Sequence, residues 1–447
     1  MTHLTKKQFR DAVQKGLGRT IMHVCEQGQK GLENVILDAC LHNLTYDPQC
    51  EESRVDWLIK LLDLTGEAPF YHQRILEALP NATDYWEAHQ LVELAAELAK
   101  RGSAQAYEAI YHKFELQQFN ESWLGGYQII DIDGIEGLIR VAEIIGARLL
   151  KDSQCWEDDC LVLEAEKHFD YETIMSALEK QSPLSANVRA YKDAVVGYRK
   201  SVQTAQRRHR LHLDLNQILF KIETTDGANS YLCSNYGYCA SDEEIEQIFV
   251  RLLTETRREQ LLRYLWIFRR RALPRLDEHL LNLAASTDNQ IQEAAITAIA
   301  HTKDESVRTL ARKLLQEQPR SIYQGAIKLF INNYTQEDRL LIESVLCATE
   351  SPNMLHALGC DILALAETQD SPELAGCCLW VYEHTPCSSC RKSAVATLIE
   401  RKQATDALSE CFWDCSKEIR TLAKTHMRTQ KICFDCSTFP TQRLDRL

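Results

Sequence analysis

The chain has 447 residues, 45% of them apolar, with only 17 glycines and 10 prolines; a single hydrophobic core rarely serves so long a chain, and the wealth of helix-forming residues predicts an all-α repeat array. A net charge of −13 opposes non-specific attraction to nucleic acid or anionic membrane. The N-terminus is polar and charged and no apolar run approaches bilayer thickness, so a secretory leader and a membrane span are not expected, and the expected setting is cytoplasmic.

Taken in order, residues 5–44 read as two helices, the first with Phe9, Val13, Leu17 and Ile21 on one face, the second with Ile36, Ala39, Cys40 and Leu44, and with Gly31 as the break. Asp47 before Pro48 makes a turn, and helices follow over 50–64, 70–79, 84–101 and 103–116. Short connections of this kind join antiparallel helix pairs. Residues 1–182 are therefore read as degenerate helical repeats.

The most unusual stretch of that half is 122–150. Four glycines between 125 and 137, the carboxylates Asp131, Asp133 and Glu136, and the aromatics Trp123 and Tyr127 fall together. The favoured account is structural: Asp133 caps a helix beginning near Ile135, and the glycines allow close helix contact. The functional account is a polar ligand or peptide contact through Trp123, Tyr127, Asp131 and Asp133. The oxygen spacing of a calcium loop is absent, and no Gly-Lys-Ser or Gly-Lys-Thr closes a phosphate loop.

Helices fill roughly 160–180, and 183–223 reads as one long basic helical segment. Residues 189–212 hold seven cations, among them Arg199, Arg207 and Arg208, against Asp193 alone. The bland account is a solvated face or pairing with the acidic remainder; the other is a patch for an acidic protein or nucleic acid. Residues 224–241, rich in Gly, Ser, Asn and Tyr, read as an irregular loop dividing the halves. Ser241 then caps a helix, and residues 251–275 carry eight arginines, including Arg258, Arg269 and Arg270, around Trp266 and Phe268. Basic residues among aromatics can stack bases and neutralise phosphates; Trp and Phe in such helices are more often core.

Residues 242–447 read as C-terminal repeats, clearest from Pro274 onward. In 287–315, Ile291, Ala295, Ala298 and Ile299 form one helical stripe and Val307, Ala311, Leu314 and Leu315 another, each helix opened by an Asp cap, Asp288 or Asp304. The phrase Val307-Arg308-x-x-Ala311 returns as Cys390-Arg391-x-x-Ala394 and Ile419-Arg420-x-x-Ala423. This run resembles the second helix of a HEAT repeat. The resemblance covers about 275–425 well and the rest loosely. It implies a right-handed, armadillo-like α-solenoid of antiparallel helix pairs, whose concave surface grips a partner protein. DNA glycosylases built on HEAT-like repeats offer a nucleic-acid alternative through 189–212 and 251–275, but their central aromatic and carboxylate cannot be mapped here. Bilin lyases also look like HEAT arrays, and no cofactor-attachment pattern supports them.

Ten of the 17 cysteines lie beyond residue 346. Cys387-x-x-Cys390 and Cys433-x-x-Cys436 have zinc-ligand spacing, with His384 three residues before the first. Thr385-Pro386, however, reads as the N-cap and first position of a helix, which makes Cys387 and Cys390 packing thiols, so buried reduced thiols are favoured over metal, and no cofactor is expected. No nucleophile elbow, metalloprotease motif or nucleotide loop is present. The expected function is a non-catalytic scaffold for another protein.

Overall fold

In the computed structural model the described residues are 3–116, 123–152, 154–205, 213–224, 229–316, 325–349, 351–403 and 407–429. Among them every regular element is helical, and none of the helices is long and apolar enough to cross a membrane. The chain divides into two compact units, the first running to residue 210 and including 413–415, the second comprising 211–412 and 416–434.

Unit 1 contains α1 Lys6–Lys15, α2 Arg19–Gln27, α3 Glu33–Leu41, α4 Val55–Thr65, α5 Ala68–Ala78, α6 Tyr85–Lys100, α7 Ala104–Leu116, α8 Gly126–Lys151, α9 Cys160–Ala165, α10 Tyr171–Gln181 and α11 Ala186–Ala205. Three helices therefore occupy 5–44, where two were expected. Gly16 takes the left-handed conformation, with φ 74°, and ends α1 before Leu17. Side chains cap several starts: Thr5 and Gln8 form a reciprocal capping box, and Asp84 and Asp170 accept the free N–H groups of α6 and α10. Residues 413–415 pack within this unit. Trp57 Nε1 donates to the Trp413 carbonyl at 2.8 Å, and the Cys415 N–H donates to the Gly16 carbonyl at 2.8 Å.

The longest helix, α8, carries a kink at Gly134, where φ 59° and ψ −128° suit only glycine. Asp133, expected to cap a helix near Ile135, lies at this kink and its carboxylate accepts the Tyr107 and Tyr111 hydroxyls instead. Close contact through glycine does occur. A Cβ on Gly146 would stand 1.9 Å from the Asn187 carbonyl oxygen of α11.

Unit 2 contains α12 Leu215–Glu223, α13 Ser230–Cys239, α14 Asp242–Thr254, α15 Arg258–Ile267, α16 Glu278–Ala284, α17 Asn289–Ile299, α18 Glu305–Gln316, α19 Arg339–Leu346, α20 Pro352–Thr368, α21 Ala375–His384, α22 Ser388–Glu400, α23 Ala407–Cys411 and α24 Lys417–Thr429. Short 3₁₀ turns at Phe268–Arg270, Ala326–Phe330, Gln336–Asp338 and Pro372–Leu374 lie among them. Two expectations fail here. The basic stretch 183–223 is not one helix, since α12 starts afresh at an Asp214–Gln217 capping box. The supposed loop 224–241 contains α13, capped by Asn229 and burying Cys233, Tyr236 and Gly237. Tertiary packing overrides weak helix propensity there, because Gly237 lets α13 meet the backbone of α15: a Cβ would fall 2.0 Å from the Ile267 carbonyl oxygen.

The 287–315 pair forms as expected. Asp288 accepts the Gln290 and Ile291 N–H groups, Asp304 accepts that of Ser306, and both apolar stripes are buried apart from half-buried Ile291. Arg308 of the repeated phrase reaches the fully buried Asp338, 2.9 Å from Oδ2, where Arg312 also pairs at 2.5 Å.

Gly146→Ala tests the α8–α11 contact. On an open helix face Ala would stabilise by about 1 kcal/mol; against the Asn187 carbonyl the same change should instead lower unfolding free energy by about 1–3 kcal/mol in urea denaturation.

Candidate functional site

The unusual stretch of unit 1 turns inward. Trp123 Nε1 donates to Glu157, and Arg148 stands 3.8 Å from the same carboxyl. Burial pushes Glu157 up to about 7, against the downward pull of Trp123 and Arg148. Tyr127 is half-buried beside Cys160, and burial pushes its hydroxyl well above the usual tyrosine value. Asp131 pairs with Lys100 at 2.6 Å and with His168 at 3.3 Å. These four residues therefore pin α8 to its neighbours. What faces solvent here is acidic: Asp131 lines a 260 Å³ pocket with Glu93, Glu97 and Glu164, and Asp133 a 790 Å³ groove with Glu108, Glu115 and Glu136.

The basic segments are mostly spent internally. Arg199 pairs with Asp159 and Glu166, each at 2.7 Å, and lies over the Tyr171 ring. Arg207 and Arg208 lie outside the described residues. In the second segment Arg251 pairs with Glu223, Arg257 with Glu255, Arg258 with Asp288, Arg271 with Asp242 and Arg275 with Glu246. Arg263 donates to the Ile222 and Thr224 carbonyls at 2.8 and 2.9 Å. Arg269 and Arg270 are different. Both are exposed, and among the described residues neither forms an ion pair; Arg270 lies over the ring of Tyr238, 5.3 Å from its centroid. Phe268 between these and the core is fully buried, and Trp266 is half-buried.

Arg269 and Arg270 open onto a groove of about 540 Å³ within unit 2. One wall is α13, contributing Ser230, Tyr231, Ser234 and Asn235; the floor is Thr297 and Ala300 at the end of α17. His301, Lys328, Ile331 and Ala364 of α20 finish it. Three fixed cations and a histidine thus face one channel whose described lining holds no carboxylate or thiol. Small side chains on the floor let an extended backbone lie close, and Tyr231, 75% exposed, offers a ring at the rim. Below the groove Lys328 lies 3.5 Å from Asp361, whose carboxyl burial pushes up to about 7 although Lys328 pulls it down.

The cysteine pattern resolves differently from its spacing. Cys433 and Cys436 lie outside the described residues. His384 stacks on Trp380, with centroids 5.1 Å apart, and takes no part in a cluster. Helix α22 begins at Ser388 with Cys387 as its N-cap, so Thr385 and Pro386 precede it by a turn rather than opening it. Cys387 and Cys390 are buried thiols, as expected. Sequence reading missed their company: His356 and Cys360 on α20 join Cys390, with one ligand atom from each inside 4.8 Å of the others. His356-x-x-x-Cys360 puts both on one helix face, and that spacing is the signal that was readable.

No family model matches the chain, and no curated protein matches it.

The Glu157 environment fixes a pH response. An acid whose folded value lies above its unfolded value of about 4.3 costs stability as pH rises, beginning at the unfolded value and completed above the folded one. Glu157→Gln should therefore be increasingly stabilising, relative to the parent chain, from pH 5 to pH 8, by up to about 3 kcal/mol. Thermal or urea unfolding of both proteins across that range is the measurement, and parallel pH curves would contradict the buried-carboxyl account.

Proposed function

We propose that the chain is a non-catalytic, HEAT-like α-solenoid scaffold, and that the groove of unit 2 holds an acidic, extended segment of a partner protein. The observation that carries this is the cationic lining: Arg269 and Arg270, which form no ion pair among the described residues, face with Lys328 and His301 a channel whose described lining holds no carboxylate. Opposite charge, a ring at the rim and a small-residue floor fit Asp- or Glu-rich peptide. The solenoid reading is supported by helices that pack on their next and next-but-one neighbours: α13 on α15, α15 on α17, α20 on α22 and α22 on α24.

Nucleic acid is the weaker occupant for a stated reason. A polyanion needs a continuous row of free cations, whereas six of the eight arginines of 251–275 are engaged with carboxylates or carbonyls. A net charge of −13 also repels a long polyanion more than a short acidic peptide.

Fluorescence anisotropy with a labelled Glu/Asp-rich peptide, a Lys-rich control and single-stranded DNA distinguishes these readings. The acidic peptide should bind, the control should not, and Arg269→Ala/Arg270→Ala should weaken binding at least ~10-fold. Both arginines are exposed, so the double variant should keep the parent melting temperature. Tighter binding of DNA with a steep salt dependence would replace the peptide reading, and an acidic peptide indifferent to the double variant would end it.

A further inference from the structure

Two helices meet in unit 2 with a histidine and cysteines brought close together. On α20, His356 and Cys360 are four residues apart and share a face; on α22, Cys387 is the N-cap and Cys390 lies in the first turn. Gly359 permits the approach. A Cβ there would stand 2.9 Å from Thr385 Oγ1, so α20 runs directly against the turn that delivers Cys387.

The spacing within the cluster has a chemical meaning. Cys360 Sγ and Cys390 Sγ are 3.7 Å apart, His356 Nε2 is 3.8 Å from Cys360 Sγ, and His356 Nδ1 is 3.6 Å from Cys390 Sγ. With Zn–S near 2.3 Å and Zn–N near 2.0–2.1 Å, a tetrahedron has S···S edges of about 3.8 Å and N···S edges of about 3.6 Å. A disulfide needs its sulfurs at about 2.0 Å. The S···S distance matches a coordination edge, and one His356 nitrogen lies within 4.8 Å of both sulfurs, so a small turn of the side chains closes the three donors around one ion. Cys387, buried and hydrogen-bonded to Cys390, is not among the donors that already lie within 4.8 Å of one another, and it is placed to become the fourth once its side chain turns toward the ion.

We propose that His356, Cys360, Cys387 and Cys390 form a structural zinc site that clamps α20 to the start of α22. Three thiolates and one imidazole suit Zn²⁺ by softness and number, and four protein ligands leave no open position for catalysis. Each thiol that is protonated in the free protein gives up its proton on binding, so the metal is held more tightly as pH rises. The site is independent of the peptide-binding proposal: none of its ligands lines the groove.

The test uses the full chain, purified without added zinc or chelator. Elemental analysis should give about one zinc per chain, and Co²⁺ added to the metal-free protein should give the intense visible bands of a tetrahedral site with thiolate charge transfer. Cys360→Ser and Cys390→Ser, made separately, should each lower zinc affinity at least ~100-fold in chelator competition. Chelation should lower the parent melting temperature and leave the variants' unchanged. A protein without bound metal and without a tetrahedral Co²⁺ spectrum overturns the proposal, as does undiminished metal in the Cys360→Ser/Cys390→Ser double variant, which would place the ion elsewhere. Recovery of a Cys360–Cys390 disulfide by peptide mass, two hydrogens lighter, overturns it in favour of a redox pair. Because the stoichiometry and the Co²⁺ spectrum are read on the parent chain, a variant that fails to fold does not shelter the proposal.

Discussion

An isolated helix shorter than about 12–15 residues is marginal in water, and α16 and α19 have only seven and eight residues. Their persistence depends on neighbours that cover the apolar stripe, and that dependence organises both units. The fully buried Ile296 and Ile299 of α17, and Val307 and Ala311 of α18, are covered by the helices beside them. Where coverage must be close, glycine supplies it, at Gly146 against Asn187 and at Gly237 against Ile267. Backbone then touches backbone, and no larger residue fits without displacement.

Burial creates its own electrostatic problem, and arginine is the main solution to it. Asp338 is fully buried; burial pushes its carboxyl up, but hydrogen bonds from Arg308, the Thr335 N–H and Arg312 outweigh this and hold it below the usual carboxylate range. A depressed value of this kind adds stability that is present above the unfolded value and is lost as acid is added through the folded one. Arg271 and Arg401 serve similarly, donating to carbonyls left without partners at helix ends, Ala240 for the first and Ala366 for the second. A basic segment in the sequence is thus mostly internal wiring. Arg269 and Arg270 stand out because the wiring omits them.

How much of this was legible follows from the range of the interactions. Local signals read well: Asp288 and Asp304 as caps, Ser241 with Glu244 as a capping box, and the stripes of 287–315 all depend on residues within a few positions of one another. Residues 224–241 misled because Gly, Ser and Asn are poor helix formers, and the stabilising contact, Gly237 on Ile267, lies 30 residues away. The long basic helix over 183–223 failed for a related reason, since charge pattern says nothing of the capping box at Asp214. In 122–137 the side chains find partners that local spacing does not reveal, since Lys100, Tyr107, Glu157 and His168 come from other parts of the chain. Sequence spacing likewise pointed Cys387 and Cys390 toward a second Cys-x-x-Cys pair, while the described donors that join Cys390 are on α20.

Helix α20 is where these themes converge. It presents His356 and Cys360 toward α22, buries Asp361 beneath Lys328, and gives Ala364 to the wall of the groove. These residues fall within nine positions, so a rigid helix carries any shift at one of them to the others. Three cysteines and a histidine around a dication would leave a net charge of −1 next in sequence to Asp361, whose carboxyl pairs with Lys328 at 3.5 Å. The pairing with Asp361 holds the Lys328 ammonium in place and reduces its pull on an acidic ligand. Arg269 and Arg270, which have no such partner among the described residues, then carry the larger share of that attraction.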